Sequence, residues 1–132
     1  MAQATLKDEI DNVFKAKYKF KRMDTTTVWI KPRKINFTDK RIRYAIKHLK
    51  KCVSIELYLD EDLLSPYDFQ KYSQRLQNNE TLIKAELGHY VSFEKNKILL
   101  QNHTDTEVYK KQCILWLESN YTSFKTALDK IL

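Results

Sequence analysis

Apolar residues recur along this chain in two rhythms, one close to 3.6 residues and one of two. Leu6, Ile10, Val13 and Phe14 share one face of a helix predicted from Thr5 to about Lys17, with Thr5 and Asp8 as a capping pair. Thr27 to Lys31, TVWIK, is β-branched and aromatic and reads as a strand, which Pro32 should end for want of a ladder donor. Cys52 to Leu59 alternates, with Val53, Ile55, Leu57 and Leu59 on one side and Ser54, Glu56 and Tyr58 on the other. Ser65 and Pro66 then open a helix to about Gln77 that buries Phe69, Tyr72 and Leu76 and stops at Asn78 and Asn79.

The rhythm predicts a meander next. Thr81–Leu87, Tyr90–Glu94 and Lys97–Gln101 read as short strands, joined by tight turns at Gly88–His89 and Lys95–Asn96. Thr104 and Glu107 fit a capping box for a helix to about Ser119. Asn120 marks a break before a last helix with Phe124, Ala127, Leu128 and Ile131 inward.

The stretch with the clearest two-sidedness is Thr38–Lys51, TDKRIRYAIKHLKK. At 100° per residue Ile42, Ala45, Ile46 and Leu49 fall in one arc. Lys40, Arg43, Lys47, Lys50 and Lys51 fall opposite, with Tyr44 among them. Thr38 is the expected N-cap, with Asp39 and Lys50–Lys51 complementing the helix dipole. The element order α-β-α-β-α-β-β-β-α-α predicts one α+β domain over residues 1–132. Its sheet is mostly antiparallel, of about 4–5 short strands, with helices on one face and two C-terminal helices. The first strand-helix-strand unit is a candidate local parallel pair.

Charge sharpens this picture. Residues 15–51 hold 14 of the 24 lysines and arginines but only two acids, Asp24 and Asp39, a balance of +12. The rest of the chain has ten cations against 15 acids, or −5. A segregated basic third points to a polyanionic partner more than a high pI does. The plainer reading is a solvated lysine-rich face. Within KAKYKFKR (Lys15–Arg22), cations interleaved with aromatics can contact phosphates and stack on bases, or Tyr18 and Phe20 can pack inward while the lysines snorkel.

Other chemistry finds less support. Glycine occurs once, at Gly88, which argues against the glycine loops of Rossmann and P-loop nucleotide sites, and no cofactor is expected. His48 and Cys52 are four apart, but no second pair completes a zinc set, and no metal site is expected. Glu56, Asp60, Glu61 and Asp62 form the one acidic cluster a metal-dependent nuclease could use, with Glu86 near Lys84 on a later predicted strand, but the spacing matches no nuclease pattern. No serine or cysteine lies in a nucleophile motif. Cys52 and Cys113 read as reduced and packed, and with no apolar span and no secretory pattern the chain is expected to be intracellular, with no membrane contact.

The expected function is therefore non-catalytic: a small nucleic-acid-binding protein or accessory subunit. Lys31, Arg33, Lys34, Lys40, Arg43, Lys47, Lys50 and Lys51 are its candidate phosphate contacts. The all-round apolar run CILWL makes Ile114 and Trp116 candidates for contact with a protein partner or a second copy. The alternatives are a protein-interaction module that docks its basic face on an acidic protein surface, and the metal-dependent nuclease.

Overall fold

The computed structural model describes residues 5–30, 42–88 and 90–132. The described residues form helix α1 (Leu6–Lys15), strands β1 (Phe20–Arg22), β2 (Thr27–Ile30), β3 (Ile42–His48) and β4 (Val53–Leu59), and helices α2 (Pro66–Asn78) and α3 (Glu80–Leu87). Strands β5 (Val91–Phe93) and β6 (Lys97–Asn102) and the long helix α4 (Lys110–Ile131) follow. The strands make one sheet in the order β1-β2-β3-β4-β6-β5, with every neighbouring pair antiparallel. The α+β class, the antiparallel sheet and the one-sided helices agree with the sequence reading.

The register sorts side chains into two opposed sets. Phe20, Ile30, Tyr44, Leu57, Ile98 and Phe93 stand in one row across the sheet, and Val28, Ile46, Ile55, Leu100 and Val91 in the next row on the same face. These residues meet Ile10 and Phe14 of α1, Leu76 of α2, Ile83 of α3, and Cys113, Leu117, Tyr121, Phe124 and Leu128 of α4 in a single core. Each large apolar side chain so buried contributes about 1.5–3 kcal/mol.

Three elements differ from expectation. The predicted basic helix Thr38–Lys51 is, where described, strand β3 and its following turn; residues 31–41 lie outside the described residues. Ile42, Tyr44, Ile46 and His48 alternate with Arg43, Ala45 and Lys47, and the seven-residue ladder to Val53–Leu59 uses that alternation. The candidate parallel pairing of Thr27–Lys31 with Cys52–Leu59 is consequently absent, because β3 lies between β2 and β4 and pairs antiparallel with both. Thr81–Leu87 belongs to helix α3, because its Leu, Lys, Ala and Glu are helix formers and Ile83 faces the core. Gly88 ends it at φ +92, with its N–H on Lys84 O at 2.8 Å. The two predicted C-terminal helices are one 22-residue helix, α4. Asn120 does not break it: Asn120 Nδ2 donates to Trp116 O at 2.9 Å, and Thr122 and Ser123 donate likewise to Glu118 O and Ser119 O, so each bonds the preceding turn. The Thr104–Glu107 box is also absent. Asp105 accepts from Glu107 N and Val108 N at 3.0 Å, while Thr106 Oγ1 bonds Leu49 O and Lys50 O across the fold.

Two polar links tie helices to β3. Buried Tyr44 donates its hydroxyl to Asp129 Oδ1 at 2.7 Å, and Lys125 pairs with the other oxygen of Asp129. Beside them Tyr121 is fully buried, edge-on to Phe14, Tyr18 and Tyr44, with no partner for its hydroxyl. Burial holds the Tyr44 and Tyr121 phenols far above the ordinary range, so both stay neutral. At the other end of β3, Arg22 binds Asp11 of α1 at 2.5 Å and donates to His48 Nε2 at 2.8 Å. Since arginine only donates, Nε2 must be the bare nitrogen of a neutral ring.

The two hydroxyls predict opposite outcomes for one chemical change. Tyr44→Phe takes the donor from Asp129 Oδ1, leaving the carboxylate with Lys125 alone, and should cost about 1–3 kcal/mol, while Tyr121→Phe removes an unsatisfied group and should be neutral or stabilising; urea denaturation of both variants compares them.

His48 supplies a pH test. Burial first, and the Arg22 charge second, pull its pKa from 6.5 to about 4, with Lys7 acting the same way and Asp11 and Asp24 opposing. The unfolded chain takes the proton near pH 6.5 and the folded chain only near pH 4. The stability held by the neutral ring is therefore complete above pH 6.5 and is lost as pH falls toward 4, at up to about 1.4 kcal/mol per pH unit. Urea midpoints between pH 7.5 and 5 should fall accordingly, and His48→Gln should flatten that slope.

Candidate nucleic-acid interface

The second face of the sheet carries no helix among the described residues, because every helix packs on the apolar rows. Its central row runs Lys21, Trp29, Ala45, Glu56, Leu99 and Ser92 from β1 to β5. Thr27, Lys47, Ser54 and Gln101 lie on one side of that row, and Arg43, Tyr58 and Lys97 on the other. The strand residues here thus include four cations and a single carboxylate.

Ala45, Ser54, Glu56 and Leu99 on this face are all buried. The Arg43 guanidinium sits 3.8 Å from the Trp29 ring centre and 4.4 Å from that of Tyr58, sandwiched between two aromatics. It also pairs with Asp60 at 3.4 Å. The Glu56 carboxylate, 6% exposed, is shared by Lys47 at 3.2 Å and Lys97 at 3.3 Å. Burial works against the charge on Lys97, but Glu56 and then Glu94 outweigh it and hold the ammonium above its ordinary range. A groove of about 420 Å³ opens above Met23, Trp29, Arg43, Lys47, Glu56 and Tyr58.

The expected phosphate contacts do not form one helical face. Lys31, Arg33, Lys34 and Lys40 lie outside the described residues. Arg43 and Lys47 share the helix-free face of β3, each with a carboxylate partner. Lys50 and Lys51 stand exposed in the turn after β3, and Lys51 pairs with Asp105 at 2.6 Å, which raises the lysine pKa and lowers that of the aspartate. Tyr44, read as one of the cationic arc, is buried under the helices. Trp29 faces the helix-free side.

Three residues of this face escaped the sequence reading in this role, Tyr58, Lys97 and Glu56, whereas Lys21 belongs to the run KAKYKFKR read as able to contact phosphates. The alternation of Cys52–Leu59 already put Glu56 and Tyr58 on a common side. Pairing an equal alternation in 42–48 against it would have brought Arg43 and Lys47 alongside.

The edge strand and its approach carry further charge. Lys15, Lys19 and Lys21 are exposed, with no ion pair among the described residues, and Lys17 reaches Glu118 at 3.5 Å. Tyr18 and Phe20 pack inward against the core, as in the plainer reading of this run. Beyond β2, the sequence from 31 to 41 adds five cations and one acid before β3 begins.

The other candidates disperse. Asp60 caps the turn at Asp62 and Leu63 and holds Arg43; Glu61 pairs with Lys95, and Glu86 with Lys130. No group of three or more His, Cys, Asp or Glu able to hold a metal occurs among the described residues. Cys52 and Cys113 are free and buried, and burial raises both thiols. No described helix is long and apolar enough to cross a membrane. Of the candidate partner contacts, Ile114 is packed into the core and Trp116 is half-buried against it; Leu115, 58% exposed, is the residue of CILWL that faces outward. That corrects the placement of Ile114, because a 22-residue helix laid on the sheet buries the stripe containing Cys113, Ile114 and Leu117.

Comparison with known proteins found no matching family model, no similar curated protein and no similar solved structure. The reading of function therefore rests on geometry and charge alone.

The Glu56 node gives a check on this arrangement. Glu56→Ala removes the carboxylate that Lys47 and Lys97 share, leaving Lys97 with Glu94, and should cost about 1.5–3 kcal/mol. Lys47→Met, which leaves Lys97 on the carboxylate, should cost less than about 1 kcal/mol because Lys47 is largely solvated. Thermal melts of the two variants measure the difference.

Proposed function

We propose that this protein binds nucleic acid without acting on it, through the helix-free sheet face and the lysine-bearing edge at β1. The observation that carries the reading is the segregation of charge by face. All apolar rows turn to the helices, and the opposite face presents Lys21, Arg43, Lys47 and Lys97 with Trp29 and Tyr58. Exposed Lys15, Lys19 and Lys21 have no ion pair among the described residues, so a phosphate would meet them with no such pair to break. The cation-rich sequence 31–41 joins the two strands that flank Trp29 and Arg43.

A second reading, a protein-interaction module, is favoured by one feature. Arg43 with Asp60, and Lys47 and Lys97 with Glu56, neutralise one another, and Trp, Tyr and Arg are the residue types that dominate protein interfaces. Pull-down with and without nuclease separates the two, since a partner retained after nuclease favours the module.

The nucleic-acid reading makes a salt prediction. Fluorescence anisotropy with labelled oligonucleotides between about 50 and 200 mM salt should give a linear fall of log affinity with log salt. Changing Lys15, Lys19 and Lys21 together to Glu should weaken binding at least tenfold and reduce the slope by about 2. Absence of binding at low salt would reject the proposal.

A further inference from the structure

We infer that the nucleic acid is single-stranded, with bases turned toward the groove over Trp29, Arg43 and Tyr58 and phosphates along the β1 edge; the inference rests on the nucleic-acid reading above. The first argument is shape. An element that reads base edges in the major groove of duplex DNA must fit a width of about 12 Å, as a helix or a two-stranded ribbon does. Six strands spaced about 4.8 Å apart make a surface roughly 24 Å across, and among the described residues no cationic helix lies on that side. Such a surface can lie against splayed bases but cannot enter a major groove.

Chemistry gives the second argument. The groove has a cation–aromatic stack as one wall, Arg43 between Trp29 and Tyr58, which offers flat apolar surface to a base ring. Its floor holds Glu56, a buried carboxylate. A carboxylate has more acceptor positions than the two lysines use, so a base edge with an amino group would find an acceptor at Glu56, whereas a phosphate diester has no proton to donate there. Phosphates are better placed at the rim, where Lys21 lies in the same cross-sheet row as Trp29 and Glu56 and has no ion pair among the described residues, with exposed Lys19 two residues before it. A single strand can put its bases inward and its phosphates outward along that line. A duplex keeps its base faces stacked inside and can offer only phosphates and groove edges.

The test compares labelled single strands of about 16 nucleotides with the duplex of the same sequence, at low salt, by anisotropy. Heparin serves as a polyanion without bases, and Trp116→Phe serves as the background so that Trp29 alone reports. The expected result is single-strand binding at least tenfold tighter than duplex or heparin, with quenching of Trp29 fluorescence by the single strand only. Lys21→Glu should weaken the single strand severalfold while circular dichroism stays unchanged. Equal or tighter binding of duplex or of heparin, or binding without any change at Trp29, overturns the single-strand inference and leaves the nucleic-acid proposal or a simple polyanion site. No binding of any probe overturns both.

Discussion

The ladder between β3 and β4 fixes the orientation of nearly everything else. Seven cross-strand pairs, from Ile42 with Leu59 to His48 with Val53, set which residues of two central strands face the helices. Because side chains alternate with a period of two, a slip of β3 by one residue would drive Arg43 and Lys47 into the core and expel Ile42, Tyr44 and Ile46. The cost of burying two charges without water prevents that slip more firmly than any local propensity does. From this ladder the same sorting passes outward, through β2 to β1 and through β6 to β5, so that apolar rows remain unbroken across six strands. The helix-free face exists because the rule holds in every strand.

The helices are then held by packing plus two polar links, both ending on β3. Tyr44 reaches Asp129 of α4, and His48 accepts from Arg22, which in turn holds Asp11 of α1. Such groups add little net stability compared with apolar substitutes, since their desolvation offsets much of the attraction. Their effect is on uniqueness. Asp129 can be satisfied only if α4 sits at one height along β3, and Arg22 only if α1, β1 and β3 meet at one corner. The lone hydroxyl of Tyr121 marks the place where this satisfaction fails, amid an aromatic cluster that has no room for a partner.

Much of this was legible in the chain. The helices at α1 and α2 and the strands at β2, β4, β5 and β6 follow from period, caps and β-branched content. The Ser65 and Thr5 caps bond the residues expected, Asp68 and Asp8. The error at 42–48 arose because Ile42, Ala45, Ile46 and Leu49 satisfy helical spacing while Ile42, Tyr44 and Ile46 satisfy alternation. Only the partner strand, distant information, decides between them, and it leaves Leu49 half exposed in the turn. Thr81–Leu87 failed in the opposite direction, since α3 is short and its single buried Ile83 leaves no clear helical stripe. Asn120 is polar enough to end a helix, yet its amide found the carbonyl of Trp116 within the same helix. The candidate site was half legible: the basic residues were visible as a segment, but the face that gathers them depends on register, as does the way Glu56 and Asp60 compensate them.

That compensation bears on how such a face would discriminate. A cation already paired with a carboxylate gains little from a passing phosphate, because the pair must open before the new contact forms, and an exposed pair and an exposed phosphate contact differ by only about 1 kcal/mol. Arg43, Lys47 and Lys97 are in this position, so they contribute little to indiscriminate attraction. What they keep is directional: donors held at fixed height beside two aromatic rings and an acceptor. Indiscriminate attraction would fall instead to Lys19 and Lys21, which are exposed and whose reach salt would screen. Under the proposed function, long-range attraction at the rim and short-range shape at the centre would thereby be separated on one sheet face. The separation would follow from where β4 places Glu56: moving that acid one residue along the strand would bury it beneath the helices, take away the carboxylate of Lys47 and leave Lys97 with Glu94 alone.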